Sequence, residues 1–268
     1  MKIDHKSKLN KRNKFIICLV GEPRVFLKSL KIRNQFFLNN KFQNVESRYL
    51  INFNDKDLNN KDLIFKKLGH LKNDKFLKSI DIEKINIRNL FRYFLEQKYK
   101  ILKKIKYDFI DKDSCIILTR SDWLFSQECY GLIDYAIRED KIVTPTISNE
   151  LRTEIKNKVY IPFSSQFIVI PHSLLDDILL ILEYAIKIHD EQILDTSKYN
   201  LKRGGNGKDR FGLGDEALFG LAVSELNYDS KIEPRKFNYS FKPDMYGLIN
   251  HNLIRNDAHI WMNLSIND

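Results

Sequence analysis

Two short, uninterrupted apolar runs constrain the fold of this chain more than any other feature of its sequence. The first covers residues 15–20, FIICLV, and the second covers residues 115–118, CIIL. Neither run alternates with polar residues, and this pattern is typical of strands that are buried on both faces of a parallel sheet. Each run is followed by residues typical of a turn. The runs therefore predict two central strands of an α/β protein.

Helical periodicity separates the predicted strands. Apolar residues recur at helical spacing in three segments, at residues 25–37, 90–105 and 174–188. Shorter apolar segments predict three further strands, at residues 48–53, 142–145 and 166–170. This alternation predicts one α/β domain with a Rossmann-like, mixed and mostly parallel sheet flanked by helices. Residues 55–84 are too irregular for an assignment.

Several side chains are assigned to helix surfaces or helix ends. Lys98 is placed on the solvent side of the helix over residues 90–105, together with Lys103, Lys104 and Lys106. Ser173 is expected to cap the helix that follows it, because a serine oxygen can accept a hydrogen bond from a free backbone N–H. A last helix is expected to begin at Asp215 and Glu216, whose negative charges suit a helix N-terminus.

The domain boundaries follow from the charge and glycine content. Residues 1–13 are predicted to form a basic leader, and residues 14–268 are predicted to be a single domain. That domain divides into residues 14–145 and residues 146–268, and the second part includes a glycine-rich loop over residues 202–214.

The cysteines and the hydropathy of the sequence indicate the cellular compartment of the protein. The three cysteines lack metal-binding spacing and lie in or beside apolar segments, so buried, reduced thiols are expected. No apolar run is long enough to span a bilayer, and residues 1–14 lack the features of a signal peptide. These features predict a cytoplasmic protein, either free or in peripheral contact with a membrane.

The formal net charge of +10 favours anionic partners, such as phosphorylated ligands, acidic lipids or nucleic acid. The lysines are scattered along the chain, whereas nucleic-acid recognition predicts a basic stripe with interleaved aromatics or a known module. No nucleic-acid partner is therefore expected.

Two strand ends compete for the ligand crevice, which in an open parallel sheet lies outside the carboxyl ends of the strands. Gly21 and Arg24 follow the first strand, and Arg120 and Asp122 follow the second. An arginine can offer paired donors to a diphosphate. An aspartate beside that diphosphate is useful chiefly with a divalent cation between the two anions. The pair Arg120 and Asp122 therefore suggests a diphosphate with a metal.

These motifs resemble those of polysaccharide-type glycosyltransferases of the GT-A kind. The resemblance rests on the strand ending in Gly21-x-x-Arg24, on the strand-end Arg120-x-Asp122 in place of the D-x-D motif, and on residues 163–170. It continues through the acidic helix start at Asp215 and Glu216, and in order and spacing it covers about two thirds of the chain.

The resemblance implies transfer of a sugar from a nucleotide-diphosphate donor to a glycan or lipid-linked acceptor. Residues 14–145 would bind the nucleotide, and residues 146–268 would face the acceptor. Mn²⁺ or Mg²⁺ would bridge Asp122 and the diphosphate, and His259, or more weakly His251, would complete the metal shell. Asp215 or Glu216 would be the general base in an inverting reaction. The absence of the first aspartate of D-x-D makes metal dependence an open question.

Other interpretations of these residues stay open. Asp122 can simply close a turn, Asp215 can be a plain helix cap, and His259 can be a packed or surface residue. Two alternative functions also remain. One is another nucleotide-dependent transferase on a similar sheet, and the other is a basic protein that binds nucleic acid or an anionic surface.

Overall fold

A computed structural model of the protein describes most of the predicted domain. The described residues are 14–21, 26–53, 68–84, 90–108, 112–120, 125, 127–146, 153–155, 158–160, 167–194 and 215–236.

Seven strands form one mixed sheet in the order β3-β2-β1-β4-β8-β5-β9. A separate antiparallel pair consists of β6 and β7. The strands are β1 (Lys14–Gly21), β2 (Asn44–Phe53), β3 (Leu77–Lys84), β4 (Cys115–Arg120), β5 (Ile142–Thr146), β6 (Thr153–Ile155), β7 (Lys158–Tyr160), β8 (Phe167–Pro171) and β9 (Ile232–Lys236). Neighbouring strands are parallel except that β8 runs antiparallel to both β4 and β5.

Within the described ranges, five α-helices cover the two faces of the sheet. They are α1 (Phe26–Asn39), α2 (Leu90–Tyr107), α3 (Gln127–Glu139), α4 (Leu175–Leu194) and α5 (Asp215–Glu225). One apolar core joins α2, α4 and α5 to one face, and a second joins α1 and α3 to the other. Because β1 and β4 contribute alternate side chains to both cores, residues 15–20 and 115–118 are apolar without interruption.

The strand order reverses between β1 and β4. The chain leaves β1 through α1 on one face, and it enters β4 from α2 on the opposite face. Such a topological switch point opens a crevice at the carboxyl ends of the two strands, since the adjoining connections diverge to opposite faces.

The predicted fold class is confirmed: the chain is α/β, with a mostly parallel mixed sheet flanked by helices. The predicted second strand begins earlier, at Asn44. The strand β3 lies at a sheet edge within the segment left unassigned. None of its residues is buried, so its sequence contains no continuous apolar run.

The predicted cap at Ser173 is wrong. Residues His172–Leu174 form a 3-10 turn without a side-chain cap, and α4 begins at Leu175. The Ser173 hydroxyl donates instead to Asp140 Oδ1 at 2.5 Å, just beyond the end of α3. The local capping pattern was thus overridden by a tertiary contact.

The cysteine prediction is confirmed, because Cys18, Cys115 and Cys129 are all buried and free. Burial raises the pKa of the Cys18 thiol, and it raises that of Cys115 to about 12. Among the described helices, none has the length and apolar character needed to cross a membrane.

Candidate active site

Gly21 and Arg120 end two neighbouring strands at the switch point. In the parallel register Val20 is opposite Arg120, so the ends of β1 and β4 are level. Adjacent strands lie about 4.8 Å apart. Gly21 has a φ of 118°, a conformation that glycine adopts readily and a side chain with a Cβ resists. The two predicted donor-binding positions that the structure describes therefore lie side by side.

The side chain of Arg120 belongs to the face covered by α2, α4 and α5. Ile116 and Leu118 contribute to the core on that face, and strand alternation places Arg120 on the same side. Arg120 is partly exposed, whereas the preceding residues of β4 are buried. A guanidinium in this position is able to reach a ligand in the crevice with part of its charge in water.

An amide pair fixes α2 against the carboxyl end of β2. Asn52 Nδ2 donates to Gln97 Oε1 at 2.5 Å, and Gln97 Nε2 donates both to Asn52 Oδ1 and, at 3.1 Å, to the hydroxyl of Tyr93. All three side chains are buried. Because Asn52 is the last residue but one of β2, this contact places Gln97 near the edge that carries Gly21 and Arg120.

Lys98, the next residue on α2, is also buried, so its placement on the solvent side was wrong. Its Nζ lies 2.8 Å from Asp215 Oδ2, and the two side chains are 5% and 18% exposed. The spacing of the apolar residues along α2 did indicate that Lys98 is buried. Leu95, Lys98, Leu102 and Ile105 are separated by three, four and three residues, which places the lysine on the apolar stripe of α2.

Asp215 and Glu216 form the first turn of α5, as predicted, and both are partly exposed. Carboxylates are favoured there because the backbone N–H groups of a first helical turn carry partial positive charge. The ion pair with Lys98 places Asp215 on the face that also carries Arg120, beside the helix held at the end of β2. The face covered by α2, α4 and α5 therefore carries both a guanidinium, which can bind an anion, and carboxylates, which can accept a proton.

Four predicted ligand-binding side chains lie outside the described residues. They are Arg24, Asp122, His251 and His259, and the glycine-rich loop at residues 202–214 lies outside them too. Within the described ranges, no group of three or more His, Cys, Asp or Glu residues is arranged to hold a metal ion. The requirement for Mn²⁺ or Mg²⁺ stays a prediction.

A second buried charged pair lies on the opposite face of the sheet. Arg33 on α1 donates from Nη2 to Asp74 Oδ2 at 2.8 Å, and the hydroxyl of Tyr49 donates to the same oxygen at 2.6 Å. Arg33 also donates to that hydroxyl. Burial raises the pKa of Tyr49; the nearby Arg33 charge opposes this increase without cancelling it. We call these three residues the Arg33 cluster.

The Arg33 cluster binds parts of the fold to one another. Asp74 also accepts a hydrogen bond from the backbone N–H of Phe76 at 2.9 Å, just before β3 begins. The side chains of Arg33, Tyr49 and Asp74 are almost completely buried. The cluster therefore joins α1 and β2 to the segment that leads into β3.

In comparisons with known proteins, no protein-family model matches this chain, and a search of the curated proteins finds no significant match. The functional argument accordingly depends on the residues at the switch point.

Proposed function

We propose that the protein is a glycosyltransferase that transfers a sugar from a nucleotide-diphosphate donor to a glycan or lipid-linked acceptor. The observation that carries the proposal is the position of Arg120 beside Gly21 at the switch point, on the same face as the acidic start of α5. A mixed, mostly parallel sheet is also what the resemblance to GT-A glycosyltransferases implies.

The donor would bind across the carboxyl ends of β1 and β4. The Arg120 guanidinium would donate to the diphosphate oxygens, and charge-assisted bonds of this kind are stronger than neutral ones. The backbone at Gly21 has no Cβ, so a donor can approach it closely. Arg24 and Asp122 follow these two strand ends in the sequence and are proposed to contribute to the same site.

The acceptor would lie toward the start of α5. In an inverting transfer, an acceptor hydroxyl oxygen bonds to the anomeric carbon while the bond from that carbon to the diphosphate oxygen breaks. The nucleoside diphosphate leaves with the bonding electrons, and the hydroxyl proton passes to a carboxylate. Asp215 and Glu216 are the proposed carboxylates.

The divalent cation is a further part of the proposal. Mn²⁺ or Mg²⁺ would supply positive charge to the leaving diphosphate. Asp122 and His259 are the residues proposed to hold it. We also propose that the enzyme acts in the cytoplasm, free or in peripheral contact with the membrane that carries a lipid-linked acceptor.

Binding to nucleic acid or to an anionic surface has less support from the described surface. Three exposed lysines of α2 are paired with carboxylates: Lys100 with Glu83 at 3.1 Å, Lys104 with Asp81 at 2.8 Å and Lys106 with Asp176 at 2.6 Å. Their positive charge is largely offset by these neighbours. A polyanion would have to displace those carboxylates to bind this helix.

A thermal-shift panel of UDP- and GDP-sugars, with a CMP-sugar as the monophosphate comparison and each with and without Mn²⁺, tests the proposal. A ligand that binds the folded protein alone raises its melting temperature. We expect one nucleotide class to stabilise the wild type and to lose most of this effect in Asp122→Ala. The matched control is Asp113→Ala, because Asp113 is exposed and precedes β4 at its opposite end.

A panel in which no nucleotide sugar stabilises the wild type would contradict the proposal. If a nucleotide sugar raises the melting temperatures of Asp122→Ala and Asp113→Ala equally, the protein has a donor site but Asp122 is not part of it. Salt-sensitive binding of DNA or RNA without a sugar-nucleotide effect would favour the nucleic-acid alternative instead.

A further inference from the structure

The buried ammonium of Lys98 is the feature that the proposed function leaves unexplained. Lysine is seldom buried unless it is paired, and here the residue is 4% exposed between α2 and α5. Its recorded partner is Asp215, which is 117 residues away in the sequence. The interaction therefore depends on the tertiary fold and cannot arise within a single helix.

Stability alone gives a weak reason for this pair. Burying two charges costs solvation energy that their attraction often only offsets, and apolar residues of similar volume frequently stabilise a protein as well or better. The surrounding core offers such a solution, because Leu95 and Leu102 on α2 and Leu218 and Leu221 on α5 are fully buried. Because this pair also lies beside the helix that Asn52 holds at the carboxyl end of β2, its position suggests a role beyond packing.

The two ends of the pair differ in their access to water. The Lys98 side chain is 5% exposed and the Asp215 side chain 18% exposed. The cation is thus covered by protein, while part of its partner carboxylate reaches the surface at the start of α5. The neighbouring Gln97 is bonded to Asn52, so the position from which Lys98 extends is itself held against β2.

We propose that Lys98 is a positioning residue, whose buried ammonium holds the Asp215 carboxylate in place for the acceptor hydroxyl. This inference rests on the proposed function. Lys98 does not itself touch the substrate; it acts by fixing the first turn of α5 relative to α2. A displacement of about 1 Å at a reacting group can cost about 100-fold in rate, so losing this ion pair would impair transfer more than donor binding.

The test uses the full chain and the sugar nucleotide that stabilises it best. Initial rates of transfer to a mixture of glycan acceptors, measured at varied donor concentrations, give kcat and KM for the donor. The variants are Lys98→Met, Lys98→Arg and Asp215→Asn, with Lys104→Met as the control. Lys104 is on the same helix, and its ion pair with Asp81 is exposed.

We expect Lys98→Met to lower kcat at least tenfold per folded molecule, with the donor KM changed less than twofold. Lys98→Arg should recover part of kcat because it restores the positive charge, and Lys104→Met should match the wild type. If Lys98→Met does not fold, Lys98→Arg and Asp215→Asn must both lower kcat without raising the donor KM.

Equal kcat values for Lys98→Met and Lys104→Met would overturn the role of Lys98 and leave the glycosyltransferase proposal standing. A parallel rise in the donor KM would also overturn it, because the lysine would then act on donor binding. A wild type that transfers none of the sugars would reject the proposed function, and the role of Lys98 with it.

Discussion

Two of the buried ion pairs among the described residues have equal lengths and different surroundings. Arg33 and Asp74 lie 2.8 Å apart with side chains 1% and 0% exposed, and Lys98 and Asp215 lie 2.8 Å apart with side chains 5% and 18% exposed. The first pair is enclosed on all sides, and both of its members hydrogen-bond to the Tyr49 hydroxyl. The second has one member, Asp215, that reaches the surface at the start of α5.

This difference shows that a buried charge is not by itself a sign of function. The Arg33 cluster connects α1, β2 and the segment before β3, away from the crevice between β1 and β4. The Lys98–Asp215 pair connects two helices beside Asn52, near the carboxyl edge. Position relative to the strand ends therefore separates the structural pair from the proposed functional pair.

The largest expected effect on stability is that of Arg33→Met. It leaves the buried Asp74 carboxylate without its cation, and breaking a buried pair in this way costs about 3–5 kcal/mol. Urea denaturation at neutral pH measures the loss. A cost below about 1 kcal/mol would show that the cluster is less important to the fold than its burial implies.

Lys98→Met should cost less, about 1–3 kcal/mol, because the orphaned Asp215 can be partly hydrated. The same denaturation experiment provides the comparison. A loss equal to or larger than that of Arg33→Met would break the distinction between the two pairs, since Lys98 would then serve mainly to hold the fold together.

The Arg33 cluster should also make the protein sensitive to alkali. The pKa of Tyr49 is raised in the folded state, whereas an unfolded tyrosine ionises near pH 10. Above about pH 10 the unfolded chain releases this proton first, so stability falls as the pH rises. Wild type should lose about 1 kcal/mol more than Tyr49→Phe between pH 9 and 11 in denaturant titrations. Equal losses of stability at alkaline pH in wild type and Tyr49→Phe would indicate that the Tyr49 hydroxyl is exposed to water.

The smallest effect is expected for Lys104→Met on the outer side of α2. Lys104 and Asp81 are 52% and 42% exposed, and pairs of this kind contribute about 0.5 kcal/mol or less. Thermal or urea denaturation in low and high salt checks this value. A loss close to that of Lys98→Met would mean that burial does not distinguish the two lysines.

The central sheet was predictable because its strands are buried on both faces. Residues 15–20 of β1 and 115–118 of β4 face two cores and are therefore apolar at every position, a local signal that needs no knowledge of the fold. The edge strand β3 has no buried residue, and its sequence LKSIDIEK carries a much weaker signal. Edge strands are stabilised chiefly by the neighbour that they join.

The candidate site was predictable only in part. Gly21 and Arg120 could be found because they directly follow recognisable strands, and Asp215 because it begins a recognisable helix. Lys98 could not be assigned from its residue type, which is normally solvated, even though its spacing lies on an apolar stripe. Its partner is fixed by the packing of α2 against α5, and no local pattern contains that information.

The most direct test of the account is the donor affinity of Arg120→Met compared with that of Arg33→Met, measured by titration calorimetry and corrected for the folded fraction. Each charge-assisted hydrogen bond contributes about 1.5–3 kcal/mol, so Arg120→Met should bind the nucleotide sugar about 10- to 100-fold more weakly than wild type. Arg33→Met should bind it within twofold of wild type. Unchanged affinity in Arg120→Met, or a larger loss in Arg33→Met, would contradict the placement of the donor site at the carboxyl edge of the sheet.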